Sequence, residues 1–465
     1  MRQRLLLTAA TLVAFGASLG SGFHFDDYAI FDHPALSHIW TLRETRPLTY
    51  LTFWLNWEAG GAHPLGYHAV NLALHLGAVL LAFECLRRLL PEKSALAAAA
   101  IFAIHPVQAE AVDYVWARSI VLATLLCLAS LYEWLDGRRW IAVAWFAAAL
   151  LAKEEVAAFP LVLLLVPASD KKRGLPQIGT MLALSLAAGL RTILALAVTP
   201  GLPAGSQAGI APARYLLTQG PVLLRYLRLL VVPWGFTVDP QIAVPPVWLG
   251  VLAWAAVAAL AVLAWRYARW ALIGLILLIP SSTIFPAADL AADRRLYFPL
   301  LGFAAAVAPL LVRIRLAEVA AVALVVLSFF RTQVWMTDRA LWSEAVERAP
   351  EKVRPKIQLA RALPAAAALE LLAKAREQAP YDPDIAAETG RILLAEGQAD
   401  AALTEFGRAV ALDPRNALYL NDRGVALEAL GQTAAARGDF EHALAIDPGL
   451  DAARENLRKI STAAP

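Results

Sequence analysis

Charge is scarce in this chain. Only 17% of its 465 residues are Asp, Glu, Lys or Arg, against 59% hydrophobic, and the mean hydropathy is +0.56. Soluble domains are about half apolar and a quarter charged, so a bilayer must act as solvent for much of this chain. Cysteine is nearly absent: Cys85 and Cys127 both fall inside apolar runs, which excludes a disulfide framework and a cysteine-ligated metal centre. Excess charge of one sign is also missing. The net +3 is small, and the basic residues sit in short clusters beside apolar runs rather than in one stripe, which argues against nucleic acid as a partner. No convincing cleavage site follows the apolar stretch Leu5 to Leu19, so it reads as a retained first span.

What is there in abundance is apolar helix. Runs of spanning or near-spanning length occur at 5–22, 66–86, 94–107, 118–135, 140–152, 156–168, 177–199, 247–265, 270–286, 296–312 and 316–330, which predicts about eleven crossings. Those around Pro106 and Pro160 are short and read as broken or half-length helices lining a cavity. Basic residues cluster at Arg2/Arg4, Arg87/Arg88/Lys93, Arg138/Arg139, Lys171/Lys172/Arg173, Arg266/Arg269 and Arg313/Arg315, and mark cytoplasmic turns. The register closes if Arg214 to Val232, with Arg225 and Arg228, lies in the interface or re-enters rather than crossing. The N-terminus is then cytoplasmic and the C-terminal region outside.

Charge returns after residue 330. From Lys374 onward the sequence repeats at about 34 residues, through Ala375/Ala409/Ala443, Pro380/Pro414/Pro448, Gly390/Gly424 and Gly397/Gly431, the period of tetratricopeptide (TPR) units. Small residues at fixed offsets let paired helices pack closely, and the Asp-Pro pairs at 413–414 and 447–448 separate the units. The expected architecture is all-α: a multi-pass transmembrane bundle over 1–330, a linker over 331–353 and a TPR solenoid over 354–465. TPR surfaces typically bind peptides or protein partners rather than small substrates.

Polar residues in the apolar half concentrate on the non-cytoplasmic side. Seven of the eight histidines lie between His24 and His105. Asp26-Asp27 directly follows the first span, on a loop expected to carry little packing. Two adjacent carboxylates at a membrane surface can supply a general base with a positioning partner, ligate a divalent cation, or simply cap a helix. His68, Asn71 and His75 share one helix face, where polar groups line a cavity or tie helices together. His105 and Glu110 bracket the end of the third run and Arg118 opens the fourth, with a spacing that matches no strong zinc pattern. Lys153-Glu154-Glu155 interrupts two apolar runs, and Asp293-Arg294-Arg295 places basic residues outside, where they suit a lipid-linked phosphate or lipid headgroups.

Taken in order, Asp26-Asp27, Arg46-Pro-Leu-Thr, Gly66-Tyr-His-Ala-Val-Asn71, His75, His105-Pro-Val-Gln-Ala-Glu110, Lys153-Glu154, Leu217-Thr-Gln219 with Tyr226, and Ala292-Asp-Arg-Arg-Leu-Tyr-Phe-Pro299 form a recognisable set. The chain resembles the transmembrane and TPR-repeat-containing family, its membrane half looking like a GT-C glycosyltransferase of the protein O-mannosyltransferase type. That resemblance implies inverting transfer of a sugar, mannose foremost, from a polyprenyl-phosphate carrier to protein hydroxyls on the non-cytoplasmic face. It implies Asp26 or Asp27 as the activator of the acceptor and Glu110 as a residue shaping the acceptor or donor site. Arg46, Arg118, Lys153 and Arg294 or Arg295 would neutralise the departing phosphate, and His68, Asn71, His105 and Glu154 would complete the substrate site. Departures from the family are Ala117 where glycine is usual, the surroundings of Asp293, and fewer TPR units. The alanine-, leucine- and arginine-rich bias points to a bacterial inner membrane with the repeats in the periplasm. Two other readings compete: a transporter, which should show internal inverted repeats that are not found, and an inactive TPR scaffold, for which costly polar groups in the membrane half have no use.

Overall fold

A computed structural model describes residues 1–36, 46–166, 174–198, 209–282, 287 and 289–462. His38 and the basic turn Lys171/Lys172/Arg173 lie outside the described residues. Among those described there is no strand, and the chain divides into two compact units, Met1–Leu341 and Trp342–Pro465. The division falls inside the 331–353 segment.

Unit 1 contains α1 (Arg2–Phe15), α2 (Pro47–Gly60), α3 (Pro64–Leu86), α4 (Glu92–Ile104), α5 (Ala109–Asp113), α6 (Arg118–Leu135), α7 (Arg139–Ala152), α8 (Phe159–Leu165), α9 (Leu175–Val198), α10 (Pro212–Val231), α11 (Val247–Tyr267), α12 (Arg269–Leu278), α13 (Pro299–Arg313) and α14 (Ala317–Val334). Among the described residues, six helical segments are long and apolar enough to cross a bilayer: Arg2–Gly20, Pro64–Leu86, Val115–Leu135, Leu175–Ala195, Val247–Tyr267 and Ala317–Val334. A seventh is counted if Glu92–Ile104 and Pro106–Asp113, bent by 45°, form one broken span. The expected runs at 140–152, 270–286 and 296–312 are present as the shorter apolar helices α7, α12 and α13. Unit 1 is thus a multi-pass transmembrane bundle with fewer full-length helices than the apolar runs suggest, because Pro106 and the charges at 153–155 interrupt them. The arginine-bearing α10 is not among the candidate spans; Tyr215, Thr218, Gln219, Val222 and Tyr226 are buried along it.

Helices in lipid gain little from hiding apolar surface from one another, so close backbone approach matters more. At the α12–α13 crossing, a Cβ placed on Gly302 would sit 2.5 Å from the Gly274 nitrogen, which only glycine permits. The polar ends of the bundle separate cleanly. Arg4 pairs with Glu84 at 2.7 Å, Gln3 donates to Glu92 at 2.6 Å and Arg88 pairs with Asp136, gathering the start of α1, the end of α3, the start of α4 and the end of α6 at one end. The opposite end carries the 3₁₀ turn Phe25–Ile30, the bend at Pro106, the 153–155 interruption and the 3₁₀ turn Asp293–Leu296.

After α15 (Asp338–Arg348), unit 2 continues as helix pairs: α16 (Val353–Arg361) with α17 (Ala365–Gln378), α18 (Pro383–Ala395) with α19 (Ala399–Leu412), α20 (Ala417–Ala429) with α21 (Thr433–Ile446), and a last helix α22 (Asp451–Thr462). The glycines of the 34-residue period have a steric reason. A Cβ on Gly390 would meet the Phe406 ring at 2.7 Å, and one on Gly424 the Phe440 ring at 2.5 Å. Each phenylalanine is wholly buried against the partner helix. Within each pair the turn uses a left-handed glycine, Gly397 at φ 75° and Gly431 at φ 73°, where a side chain would be strained. Asp382 and Asn416 cap α18 and α20 by accepting from the amides of Asp384 and Leu418.

Candidate functional site

The sequence-predicted residues form two groups at the same end of unit 1: a hydrogen-bonded polar network inside the bundle and a charge cluster beside it.

The interior network begins at Asp27. Its side chain is fully buried, Oδ2 accepting from the His24 amide at 2.9 Å and Oδ1 from the Trp116 amide at 2.7 Å. The expectation that this position carries little packing is therefore corrected: the carboxylate fastens the 25–30 turn to the segment before α6. Burial pushes its pKa up to about 7 despite the two amide donors. The preceding Phe25 has φ 44°, a conformation that a bulky side chain adopts only when its surroundings enforce it.

Arg118 is wholly buried and, among the described residues, faces no carboxylate at hydrogen-bonding distance. Its Nε donates to Asn71 Oδ1 at 2.7 Å, Nη1 to Asn56 Oδ1 at 2.7 Å and to Thr52, and Nη2 to the Tyr67 carbonyl at 2.9 Å. Asn71 in turn donates to the carbonyls of Val112 and Tyr114, which end α5. His68 lies 3.0 Å from the Gly22 carbonyl, and His105 accepts from the Val107 amide to cap the turn after the bend. His75 sits between the Tyr297 hydroxyl at 2.7 Å and the Ala103 carbonyl at 3.0 Å. These side chains satisfy broken backbone inside the bundle, the helix-tying alternative for the His68, Asn71, His75 face, and their polar atoms are largely occupied.

The charge cluster is assembled from five distant stretches. Arg46 grips Glu154 through two bonds of 2.6 and 3.1 Å, while Thr49, one turn on, donates to the Ala152 carbonyl; together they hold the 153–155 interruption against α2. Arg294 donates to Glu110 Oε1 at 2.6 Å and to Asp289 at 3.2 Å, and its amide reaches Glu110 Oε2. Arg225 pairs with Asp293 at 2.5 Å, Tyr226 exchanges two hydrogen bonds with the backbone of Ala292, and Gln219 donates to the Leu290 carbonyl. α10 thus serves as the clamp that shapes the 290–295 turn.

Two cations stand apart from these close pairs. Lys153 has Glu155 at 3.3 Å, and burial lowers its pKa to about 8, an effect Glu155 only partly offsets. Arg295 donates to the carbonyls of Asp289 and Leu290 among the described residues. Glu155 feels both cations. Asp26 is half-buried at the rim; its amide donates to the Tyr114 hydroxyl at 3.2 Å, and that hydroxyl also bonds its carboxylate. Arg294 acts electrostatically on the same hydroxyl, which links the Asp26 turn to the cluster. Tyr114 and Asp289 were not singled out from the sequence, and Glu155 and His24 were noted there without a role at the site: Tyr114 is one tyrosine among 11 in the chain, and the others gain meaning only from long-range partners. Among the described residues no group of three or more His, Cys, Asp or Glu is arranged to hold a metal ion.

The arrangement offers a rim carboxylate, an adjacent tyrosine and underused cations in a partly desolvated setting, which suits displacement of an anionic leaving group by a hydroxyl. A family model for the TPR repeat matches residues 390–431. Protein O-mannosyl-transferase Tmtc1 of Drosophila melanogaster is 42% identical over 118 residues, covering 23% of this chain and 14% of that protein. Protein O-mannosyl-transferase F38B6.6 of Caenorhabditis elegans is 23% identical over 430 residues, 78% of this chain and 60% of that protein. Protein O-mannosyl-transferase TMTC4 of Homo sapiens is 30% identical over 201 residues, 33% of this chain and 27% of that protein. The chain therefore spans less than two thirds of these relatives' lengths, and its resemblance to the transmembrane and TPR-repeat-containing protein O-mannosyl-transferases, read first from the order of its motifs, is borne out.

Proposed function

We propose that the chain is a membrane glycosyltransferase that moves a sugar, mannose foremost, from a polyprenyl-phosphate donor to hydroxyl groups of proteins. The observation that carries this reading is the convergence of Asp26, Glu110, Lys153, Arg294 and Arg295 at one end of the bundle, opposite the end that gathers Arg4, Arg88 and Arg138. Positive-inside logic puts the second end in the cytoplasm and the site, with the TPR unit, outside.

In the proposed reaction the acceptor oxygen attacks the anomeric carbon while Asp26 takes its proton. The new carbon–oxygen bond forms as the bond to the phosphate oxygen breaks, with inversion, and the electron pair leaves on the polyprenyl phosphate. Lys153 and Arg295 meet that phosphate, because Arg46, Arg118 and Arg294 already spend their donors on internal partners. Glu110 holds Arg294 and so shapes the floor of the site. Asp27 holds the turn that presents Asp26. The TPR unit docks the acceptor protein.

Incubating the purified full chain with a mannosyl polyprenyl phosphate and a serine- and threonine-bearing peptide tests this reading. A gain of one hexose on the peptide supports it. An unmodified peptide with every sugar donor and hydroxyl acceptor tried removes it and favours the scaffold reading.

A further inference from the structure

We propose that His24 is the positioning residue of the Asp26–Asp27 turn, its charged imidazole ring wedged between Asp338 and the Trp335 carbonyl so that the turn is fastened to the end of α14. This rests on the reading that the turn presents the catalytic carboxylate.

The His24 side chain is 1% exposed, with Nδ1 2.6 Å from Asp338 Oδ1 and Nε2 2.6 Å from the Trp335 carbonyl. A carboxylate facing one ring nitrogen and a carbonyl facing the other call for a proton on both, which is the imidazolium. Ser21 reinforces the anchor by donating to the same carbonyl at 2.5 Å while lying 3.0 Å from Nε2. The turn grows directly from this anchor. The His24 amide donates to Asp27 Oδ2, Phe25 follows in its left-handed conformation, and Asp26 then meets the Tyr114 hydroxyl. The Tyr114 ring stacks on Trp335 at 5.6 Å between centroids, so Trp335 supports the turn through its carbonyl and through its ring.

Electrostatics agrees with this geometry. Burial opposes charge on His24, but the hydrogen bond and field of Asp338, with Asp27 adding to them, raise its pKa above 6.5. Among the described residues, Asp26 lies two residues along on its own turn beside Asp27, and His68 from α3 lies within the field of His24 and of Arg118. A raised value means that the anchor is intact below about 6.5, the ordinary histidine value, and is lost as pH rises through the raised one.

Two readouts on the full chain in detergent test the proposal. The first is nitrogen-15 NMR of labelled histidine, wild type against D338N; Asp338 is 38% exposed, so this isosteric change keeps the fold. His24 should titrate above its ordinary value in the wild type and on the order of one pH unit lower in the variant. The second is the pH profile of sugar transfer. D338N should lower kcat roughly tenfold, leave the donor KM unchanged and move the alkaline limb to lower pH. H24Q should lose activity, with its cleavage by protease within residues 21–36 increased. A His24 that stays neutral between about pH 5 and 8, or an alkaline limb that D338N does not move, overturns the proposal. Wild-type protein that transfers no sugar defeats the enzymatic reading alone, and the NMR titration still decides the state of His24.

Discussion

Glu110 and Arg294, 184 residues apart, meet through a 2.6 Å contact between Oε1 and Nη1, with the Arg294 amide closing a second bond to Oε2. This pair fixes the broken span after Pro106 to the turn that precedes α13. Glu110 is 3% exposed, so removing one member strands a poorly solvated charge. Glu110→Gln and Arg294→Met should each destabilise unit 1 by roughly 3–5 kcal/mol, and the double variant by less than their sum. Melting temperatures of the four proteins in one detergent check this; additive losses would mean the two residues act separately.

Asp26 and Asp27 should separate cleanly. Asp26→Asn removes the proposed base while leaving the packing, so activity falls with the melting temperature nearly unchanged. Asp27→Asn replaces one of two acceptor oxygens with a donor facing a backbone amide, and should cost about 1–3 kcal/mol in stability. Paired activity and unfolding measurements on each variant distinguish the roles.

The pH dependence of Asp27 has a definite sign. Its folded pKa of about 7 lies above the ordinary 3.8, so the folded state holds a proton that the unfolded state releases between those values. Its contribution to stability is most favourable below about 4 and falls as pH rises to about 7, after which it is constant. Asp27→Asn should flatten that part of the melting-temperature profile.

Much of the architecture could be read along the chain because it depends on local period. The recurrence of Gly390 at Gly424 reports a helix pair in which a phenylalanine ring occupies the place of a Cβ, and apolar length reports spans wherever no proline or charge intervenes. Pairing could not be read this way. Nothing near Arg46 indicates that Glu154 will occupy it, and nothing near Arg118 indicates that Asn56, Asn71 and Tyr67 will absorb its donors. The sequence marks polar residues in a membrane as costly, but whether each serves a substrate or a broken backbone depends on neighbours that are dozens of residues away.

The cations divide on that basis. Lys153→Met and Arg295→Met should each reduce kcat/KM on the order of a hundredfold through loss of leaving-group stabilisation, with a modest change in stability. Arg118→Met should instead lower the melting temperature, because Asn56, Asn71 and the Tyr67 carbonyl lose their common donor.

In unit 2, Gly424→Val should destabilise the repeat by roughly 1–3 kcal/mol or more, since the new side chain meets the Phe440 ring in a packed core. Pairing it with Phe440→Ala should recover part of the loss. Urea unfolding of the full chain, followed by a probe in the α20–α21 pair, reads both.

The most direct test of the central claim is release of polyprenyl phosphate from mannosyl and glucosyl polyprenyl-phosphate donors by the purified full chain in the presence of a hydroxyl acceptor, comparing wild type with Asp26→Asn. The account predicts that wild type frees the carrier in step with sugar appearing on the acceptor, and that the folded Asp26→Asn protein does not. Carrier release at the wild-type rate by Asp26→Asn, or none by the wild type with either donor, would contradict it.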